Sequence, residues 1–140
     1  MFCMSGLKRK INNYVRALEK LNQGLVRYDG RDDLARDGVI QRFEFTFELV
    51  WKAQKVLFEI EGLIGLNSPK SVLREAYAAN IIEDELVWLN MLKDRNLTSH
   101  IYDETTAVEI SRRIQYEYLG AFQVLKQKLE NRLRDNLDAE

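Results

Sequence analysis

One proline in 140 residues, alongside only 7 glycines, constrains this chain more than any other feature. Turns recruit both residues, because Pro presets φ and Gly supplies positive φ without strain. A sheet-rich chain of this length turns often and needs many of each. Few turns over 140 residues mean long helices. The composition agrees: 46% apolar and 31% charged residues suit amphipathic helices better than disorder. A chain of this size supports one domain, residues 1–140, whose single core needs neither metal nor disulfide.

Hydrophobic spacing places the helices. Ser5 can cap a first helix to about Tyr28, with Leu7, Ile11, Tyr14, Leu18, Leu21 and Leu25 on one face. Asp29-Gly30-Arg31-Asp32-Asp33 is a turn. Between Leu34 and Glu61, Phe43-Glu44-Phe45-Thr46-Phe47-Glu48 alternates with period two and alone reads as a strand. The wider window overrules it. Ile40, Phe43, Phe47, Val50, Trp51 and Leu57 keep helical spacing, while Glu44, Glu48 and Lys52 step by four on another face. Gly62 is a C-terminal stop. Asn67-Ser68-Pro69 opens a short helix to about Ala79, which Asn80 ends. A further helix starts near Glu83, with Leu86, Leu89 and Leu92 expected inward, and fades near Asn96. Asp103 or Thr105 caps a last helix to about Leu133, with Ile110, Ile114, Ala121, Leu125 and Leu129 on its face. The expected fold is all-α: an antiparallel up-and-down bundle of four main helices with one short helix between the second and third long ones.

Several function classes drop out. A net charge of −1 gives no global attraction to nucleic acid or an anionic membrane, so any RNA contact must be local or made with a partner. Cys3 is the sole cysteine, which precludes an intrachain disulfide and a cysteine metal site. Met1 to Ser5 lacks an apolar h-region, so no signal peptide is expected. No apolar run approaches the ~20 residues of a membrane span. A cytoplasmic location is expected. There is no Gly-rich phosphate loop, one histidine cannot anchor a typical metal site, and no cofactor is implied. Trp51, Trp88 and the Phe43/Phe47 pair read as core aromatics. Lys8-Arg9-Lys10 and Arg112-Arg113 read as solvated helix surface.

The densest cluster of functional groups is Asp94-Arg95-Asn96-Leu97-Thr98-Ser99-His100-Ile101-Tyr102-Asp103-Glu104. On an uninterrupted helix Arg95 and His100 lie about 140° apart, whereas Asn96 and His100 share a face. Joining Arg95 to His100 requires the helix to end here, or a second copy of the segment from another subunit. The chemistry these groups permit is metal-free cleavage of an RNA phosphodiester. A neutral imidazole can take the proton of a ribose 2′-hydroxyl, and a fork-shaped guanidinium can hold the phosphate. Asn96 can orient substrate or imidazole. One His leaves the reaction short of a leaving-group acid, which a symmetric homodimer would supply. The plainer reading is that Arg95 pairs with Asp103 or Glu104 across a helix junction that His100 caps.

Two blocks carry a resemblance. One is Phe43-Glu44-Phe45-Thr46-Phe47-Glu48-Leu49-Val50-Trp51-Lys52. The other runs from Ser68-Pro69-Lys70 through Arg74-Glu75-Ala76 to Met91-Leu92-Lys93 and the segment ending at Glu104. In these the chain resembles the HEPN proteins encoded beside minimal nucleotidyltransferases, also called nucleotidyltransferase substrate-binding proteins. The resemblance implies a bundle like the C-terminal domain of kanamycin nucleotidyltransferase, a homodimer, and a two-gene toxin–antitoxin system. It implies a metal-independent RNase with Arg95 and His100 as catalytic pair and Asn96 as the polar residue after the Arg. A minimal nucleotidyltransferase from the neighbouring gene would neutralise it, transferring AMP to Tyr102. The alternative is a non-catalytic subunit that binds substrate for a two-component nucleotidyltransferase.

Overall fold

The computed structural model describes residues 4–138, all of whose regular elements are helical. Cys3 and the other opening residues of the expected leaderless start lie outside the described residues. The helices are α1 (Met4–Arg27), α2 (Asp33–Ile60), α3 (Pro69–Ala78), α4 (Glu85–Thr98), α5 (Glu104–Arg113) and α6 (Leu119–Asp138). A π-helical turn, Ile114–Tyr118, joins α5 to α6, so the last two form one continuous rod.

Local chemistry sets most boundaries. Ser5, expected as a cap, instead lies within the first turn of α1. The Asp32 carboxylate accepts from the Leu34 and Ala35 amides and starts α2. Ser68 and Ser71 exchange hydrogen bonds in a capping box ahead of α3, with Pro69 in its first turn. Asp84 caps α4 and Asp103 caps α5. Gly62 (φ 96°) and Asn80 (φ 60°) adopt the left-handed conformation that stops α2 and α3.

Pairings along the helices give the topology. Tyr28 meets Arg36, and the Lys20 carbonyl accepts from Arg42 at 2.7 Å, so α1 and α2 run antiparallel. Glu44 meets Thr98 while Glu48, one turn on, meets Arg95, so α4 runs against α2. Arg36–Glu104, Phe43–Tyr118 and Glu61–Arg132 ascend together, so the α5–α6 rod runs parallel to α2. The result is the expected up-and-down bundle, with α3 as the short extra helix.

The expected apolar face of α1 is fully buried. Phe43, Phe47, Trp88, Tyr118 and Phe122 form an aromatic centre, with ring centroids 5.5 Å apart for Phe43–Tyr118 and Trp88–Phe122. Tyr14 crosses from α1 to donate to the Phe122 carbonyl at 2.5 Å. Trp51 is only half-buried and donates its indole N–H to Glu48.

Two faces differ from expectation. In α4 the buried residues are Trp88, Met91, Asp94 and Thr98, while Leu86 is 68% exposed and Leu89 and Leu92 are half-buried. The helix is apolar on two sides, and the large aromatic took the core. In the last rod Tyr118 and Phe122 are buried while Ala121 is half-buried. Residues 114, 118 and 122 step by four along the buried face through the π-helical turn, and the expected face omitted 118 and 122.

Phe43→Ala removes a ring that packs against three others, stacked on Tyr118 and tilted to Phe47 and Phe122, and a loss of about 3–5 kcal/mol is predicted. Urea unfolding followed by circular dichroism measures it. A loss under about 1 kcal/mol would mean that the aromatic centre is not where stability resides.

Candidate functional site

The polar segment lies where α4 ends. The Thr98 hydroxyl donates to the Arg95 carbonyl (3.0 Å) and the Ser99 hydroxyl to the Asn96 carbonyl (2.7 Å), occupying acceptors the helix end leaves free. The His100 amide donates to the Leu97 carbonyl, and the chain then runs outward to Asp103. What fixes the direction of this helix end is Asp94. Its buried carboxylate accepts two hydrogen bonds from Arg113, at 2.8 and 2.9 Å, and one from the Tyr118 hydroxyl. The Asp94 hydrogen bonds and charge, outweighing burial, hold Arg113 more firmly protonated than usual. Burial first, and then Asp94, push the Tyr118 phenol up. Arg113 is therefore no solvated surface residue, as its Arg-Arg context suggested. It is half of a fork-to-fork ion pair.

From that anchor the neighbouring side chains diverge. Arg95 turns toward α2 and pairs with Glu48 at 3.8 Å. Glu48 also accepts from Lys52 and Trp51. Burial raises its carboxyl pKa, but those hydrogen bonds and the Lys52 and Arg95 charges together bring it below the usual value. One turn away, burial raises Glu44 despite a Thr98 hydrogen bond and the Arg95 charge. The pairing of Arg95 with Asp103 or Glu104 does not form. Asp103 accepts from the Thr106 amide at 2.8 Å, and Glu104 lies 3.6 Å from the buried Arg36. Those acids belong to the α5 start, on the far side of the link from Arg95.

Asn96 and His100 face the other way. Both are exposed and line an open groove of about 580 Å³ between α3 and α4. Lys70 and Arg74 of α3 form one wall, and Lys93, Asn96 and His100 the other. Leu89, Leu92 and Leu97 complete the lining. Because α4 stays helical through Thr98, Arg95 and His100 keep the wide angular separation that helix geometry demands. The fold thus unites Asn96 with His100 and leaves Arg95 on a different side of α4. Tyr102 is half-buried against the core. Burial, and then the charges of Asp37 and Glu44, raise its phenol pKa. Glu44 therefore borders both Arg95 and Tyr102.

Sequence reading missed the roles of Asp94, Arg113 and Tyr118, and the facing of Lys70 and Arg74. The four-residue spacing of Lys70 and Arg74 on a capped helix was a usable signal for the latter. Nothing local marked the former, whose members lie 19 and 24 residues apart. Among the described residues no group of three or more His, Cys, Asp or Glu side chains could hold a metal ion, and no helix is long and apolar enough to cross a membrane.

A helical bundle with this polar α4 terminus defines a class that comparison with known proteins makes specific. Residues 9–131 match the family described as nucleotidyltransferase substrate binding protein like. The chain belongs to that family, and with it to the HEPN proteins of two-gene nucleotidyltransferase systems, as the two sequence blocks implied. It is 33% identical over 99 residues to the "Probable ribonuclease HepT" of Haemophilus influenzae, spanning 68% of this chain and 67% of that protein. A crystal structure from Thermus thermophilus is 38% identical, with TM-score 0.70, covering 86% of this chain and 98% of that one. A Haemophilus influenzae structure described as the fold of a substrate binding domain of a nucleotidyltransferase is 25% identical, with TM-score 0.61, over 91% of this chain and 99% of that one. A mutant of the toxin–antitoxin MntA-HpeT shares the fold at 16% identity and TM-score 0.75, over 89% of this chain and 97% of that one.

Arg113→Ala leaves the Asp94 carboxylate buried without its cation. A loss of about 2–3 kcal/mol is predicted, less than for a fully buried pair because Arg113 is partly exposed. Amide hydrogen exchange should quicken most at residues 95–100. Unchanged exchange there would show that the ion pair does not hold the end of α4.

Proposed function

We propose that this chain is the substrate-binding subunit of a two-component nucleotidyltransferase system, working with a minimal nucleotidyltransferase encoded by a neighbouring gene. The observation that carries this reading is the open groove between α3 and α4. It gathers Asn96 and His100 with three cations on a face the bundle leaves uncovered. Within one chain Arg95 points elsewhere, onto Glu48, so the groove is a binding device without the complete catalytic pair. The family description and the Haemophilus influenzae fold favour the same role.

The ribonuclease reading has its own support, in the relative named as a ribonuclease and in the exposure of His100. There the His100 imidazole takes the proton of a ribose 2′-hydroxyl. The oxygen attacks the adjacent phosphorus, the 5′-oxygen leaves, and a cyclic 2′,3′-phosphate results. Arg95 would stabilise the phosphate charge and Asn96 would orient the imidazole. Since Arg95 and His100 diverge within one chain, the reaction needs a homodimer that sets one protomer's Arg95 near its partner's groove and supplies a second His100 as acid.

In either system Tyr102 is the proposed AMP acceptor. Its hydroxyl oxygen bonds the α-phosphorus of ATP, pyrophosphate leaves, and the phenolic proton is lost. The new phosphate anion would stand in the neighbourhood of Glu44, which Arg95 also borders. Charge-assisted hydrogen bonds to Arg95 would then draw that guanidinium from Glu48 and occupy it.

Expression of the chain alone separates the readings. The binding-subunit reading predicts no growth arrest and no RNA cleavage, and nucleotidyl transfer by the neighbour that depends on this chain. Arrest that disappears in Arg95→Ala and in His100→Ala would overturn it in favour of the ribonuclease. Each variant should then cost about two orders of magnitude in rate, the usual loss of one transition-state donor. Incubation with the neighbour, ATP and Mg²⁺ should add adenylyl mass to the wild type and none to Tyr102→Phe. Mass added to that variant would exclude Tyr102 as the acceptor.

A further inference from the structure

The first helix concentrates positive charge. The chain carries 22 acidic residues against 21 basic ones, yet α1 holds six basic residues and a single acid, Glu19. Arg9, Arg16, Lys20 and Arg27 follow one another at steps of seven, four and seven. Helix geometry therefore sets them in one row, with Glu19 off it. At the rise of an α-helix that row is about 27 Å long. All four residues are exposed, and none forms an ion pair among the described residues. Elsewhere cations that meet the bundle are neutralised, as Arg113 is by Asp94 and Arg132 by Glu61. Arg16 and Lys20, one turn apart, repel each other, and an acidic surface laid along the row would relieve that repulsion.

The row borders a groove. Antiparallel packing lays α2 beside it, where the Arg42 Nη1 donates to the Lys20 carbonyl at 2.7 Å. Arg27 and Arg42 line a hollow of about 230 Å³ between the two helices, with no acid among its lining residues. Gly24 and Gly38 line it too, and Gly38 has open space where a side chain would stand. On the far lip α2 is apolar. Leu34 and Phe45 lie three turns apart on one row, with Gly38 between them, and are 78% and 65% exposed. Leu49, one turn beyond Phe45, is half-buried. A cationic row on α1 and an apolar row on α2 thus flank the same groove.

We propose that the α1–α2 groove docks an acidic amphipathic helix of a protein partner, its carboxylates along Arg9, Arg16, Lys20 and Arg27 and its apolar side on Leu34 and Phe45. Such a helix matches both lips at once, as helix-in-groove recognition requires. The apolar lip sets this occupant apart from other polyanions. A nucleic-acid duplex would satisfy the cations and leave Leu34 and Phe45 in water. An anionic bilayer would meet both rows, but its flat surface would leave the hollow between them unfilled. Charge complementarity here gives orientation and register more than raw affinity. The face lies across α2 from the polar end of α4: Glu48 pairs with Arg95 on one side of α2, while Arg42 reaches Lys20 on the other. A partner seated on it leaves the α3–α4 groove and Tyr102 uncovered.

The test is fluorescence anisotropy of a labelled helical peptide titrated with the whole protein. The peptide spans about 27 Å as a helix and carries glutamates on one face and leucines on the adjoining one. It should bind the wild type, and a scrambled peptide of the same composition should not. The triple variant Arg16→Ala, Lys20→Ala, Arg27→Ala should raise Kd about tenfold, the sum of three exposed ion pairs. The double variant Leu34→Ser, Phe45→Ser should weaken binding by a comparable factor. A control removing three cations of the α5–α6 rod, Arg112→Ala, Lys126→Ala and Arg134→Ala, changes the net charge as much as the first variant and should keep the wild-type Kd. Circular dichroism of all three variants verifies the fold. The docking site is wrong if the peptide does not bind, if the scrambled peptide binds equally, or if the control weakens binding as much as the α1 variant. A short RNA duplex, or vesicles of phosphatidylcholine and phosphatidylserine, held by the same residues more tightly than the peptide would also overturn it and assign the face to a nucleic acid or a membrane.

Discussion

A buried carboxylate that accepts from an arginine and a tyrosine at once organises this molecule's functional end. Asp94 is nearly sealed from solvent, and an ionised carboxylate there is tolerable only because Arg113 forks onto both of its oxygens and Tyr118 adds a third donor. The π-helical turn is what lets the last rod supply both donors. It keeps Ile114, Tyr118 and Phe122 on the core face while Arg113 reaches Asp94 from the rim. Removing Asp94 would leave both Arg113 and Tyr118 without this partner.

The rotation of α4 decides what the site can be. With Trp88, Met91, Asp94 and Thr98 inward, the side chains on either flank of Asp94 diverge. Arg95 falls on the α2 side, among Glu44 and Glu48 and in the same neighbourhood as Tyr102. Lys93, Asn96 and His100 fall on the α3 side, in an open groove. Two polar patches therefore share one helix end: an acidic α2 edge that pairs with Arg95, and a basic groove lined by His100.

Much of this was legible in the sequence, and the boundary is physical. The α1 face was readable residue by residue because that helix is strongly one-sided. The turns and caps at Asp32, Ser68, Asn80 and Asp103 were readable because each answers to its own local backbone chemistry. The facing of α4 was not, since apolar residues, Trp88 and Met91 on one side and Leu86, Leu89 and Leu92 on others, surround it and periodicity cannot choose between them. The π-turn was invisible because the buried positions through it, Ile114, Tyr118 and Phe122, keep an ordinary four-residue step. Arg95 and His100 stood out as residues, but spacing left open whether the helix end or a second subunit would join them; within one chain they lie apart. Their actual neighbours, Glu48 for one and the α3 cations for the other, come from tertiary packing across 47 and 26 to 30 positions of chain, beyond the reach of local spacing.

The central claim is that the α3–α4 groove, set by the Asp94 anchor, is where this protein meets its substrate. At 16.5 kDa the chain is well suited to amide chemical-shift mapping by NMR. On titration with a short single-stranded RNA, the account predicts that the shifted amides cluster at residues 68–74 and 89–100. Shifts concentrated instead along α1, or along the α2 edge around Glu44 and Glu48 with the groove silent, would contradict it.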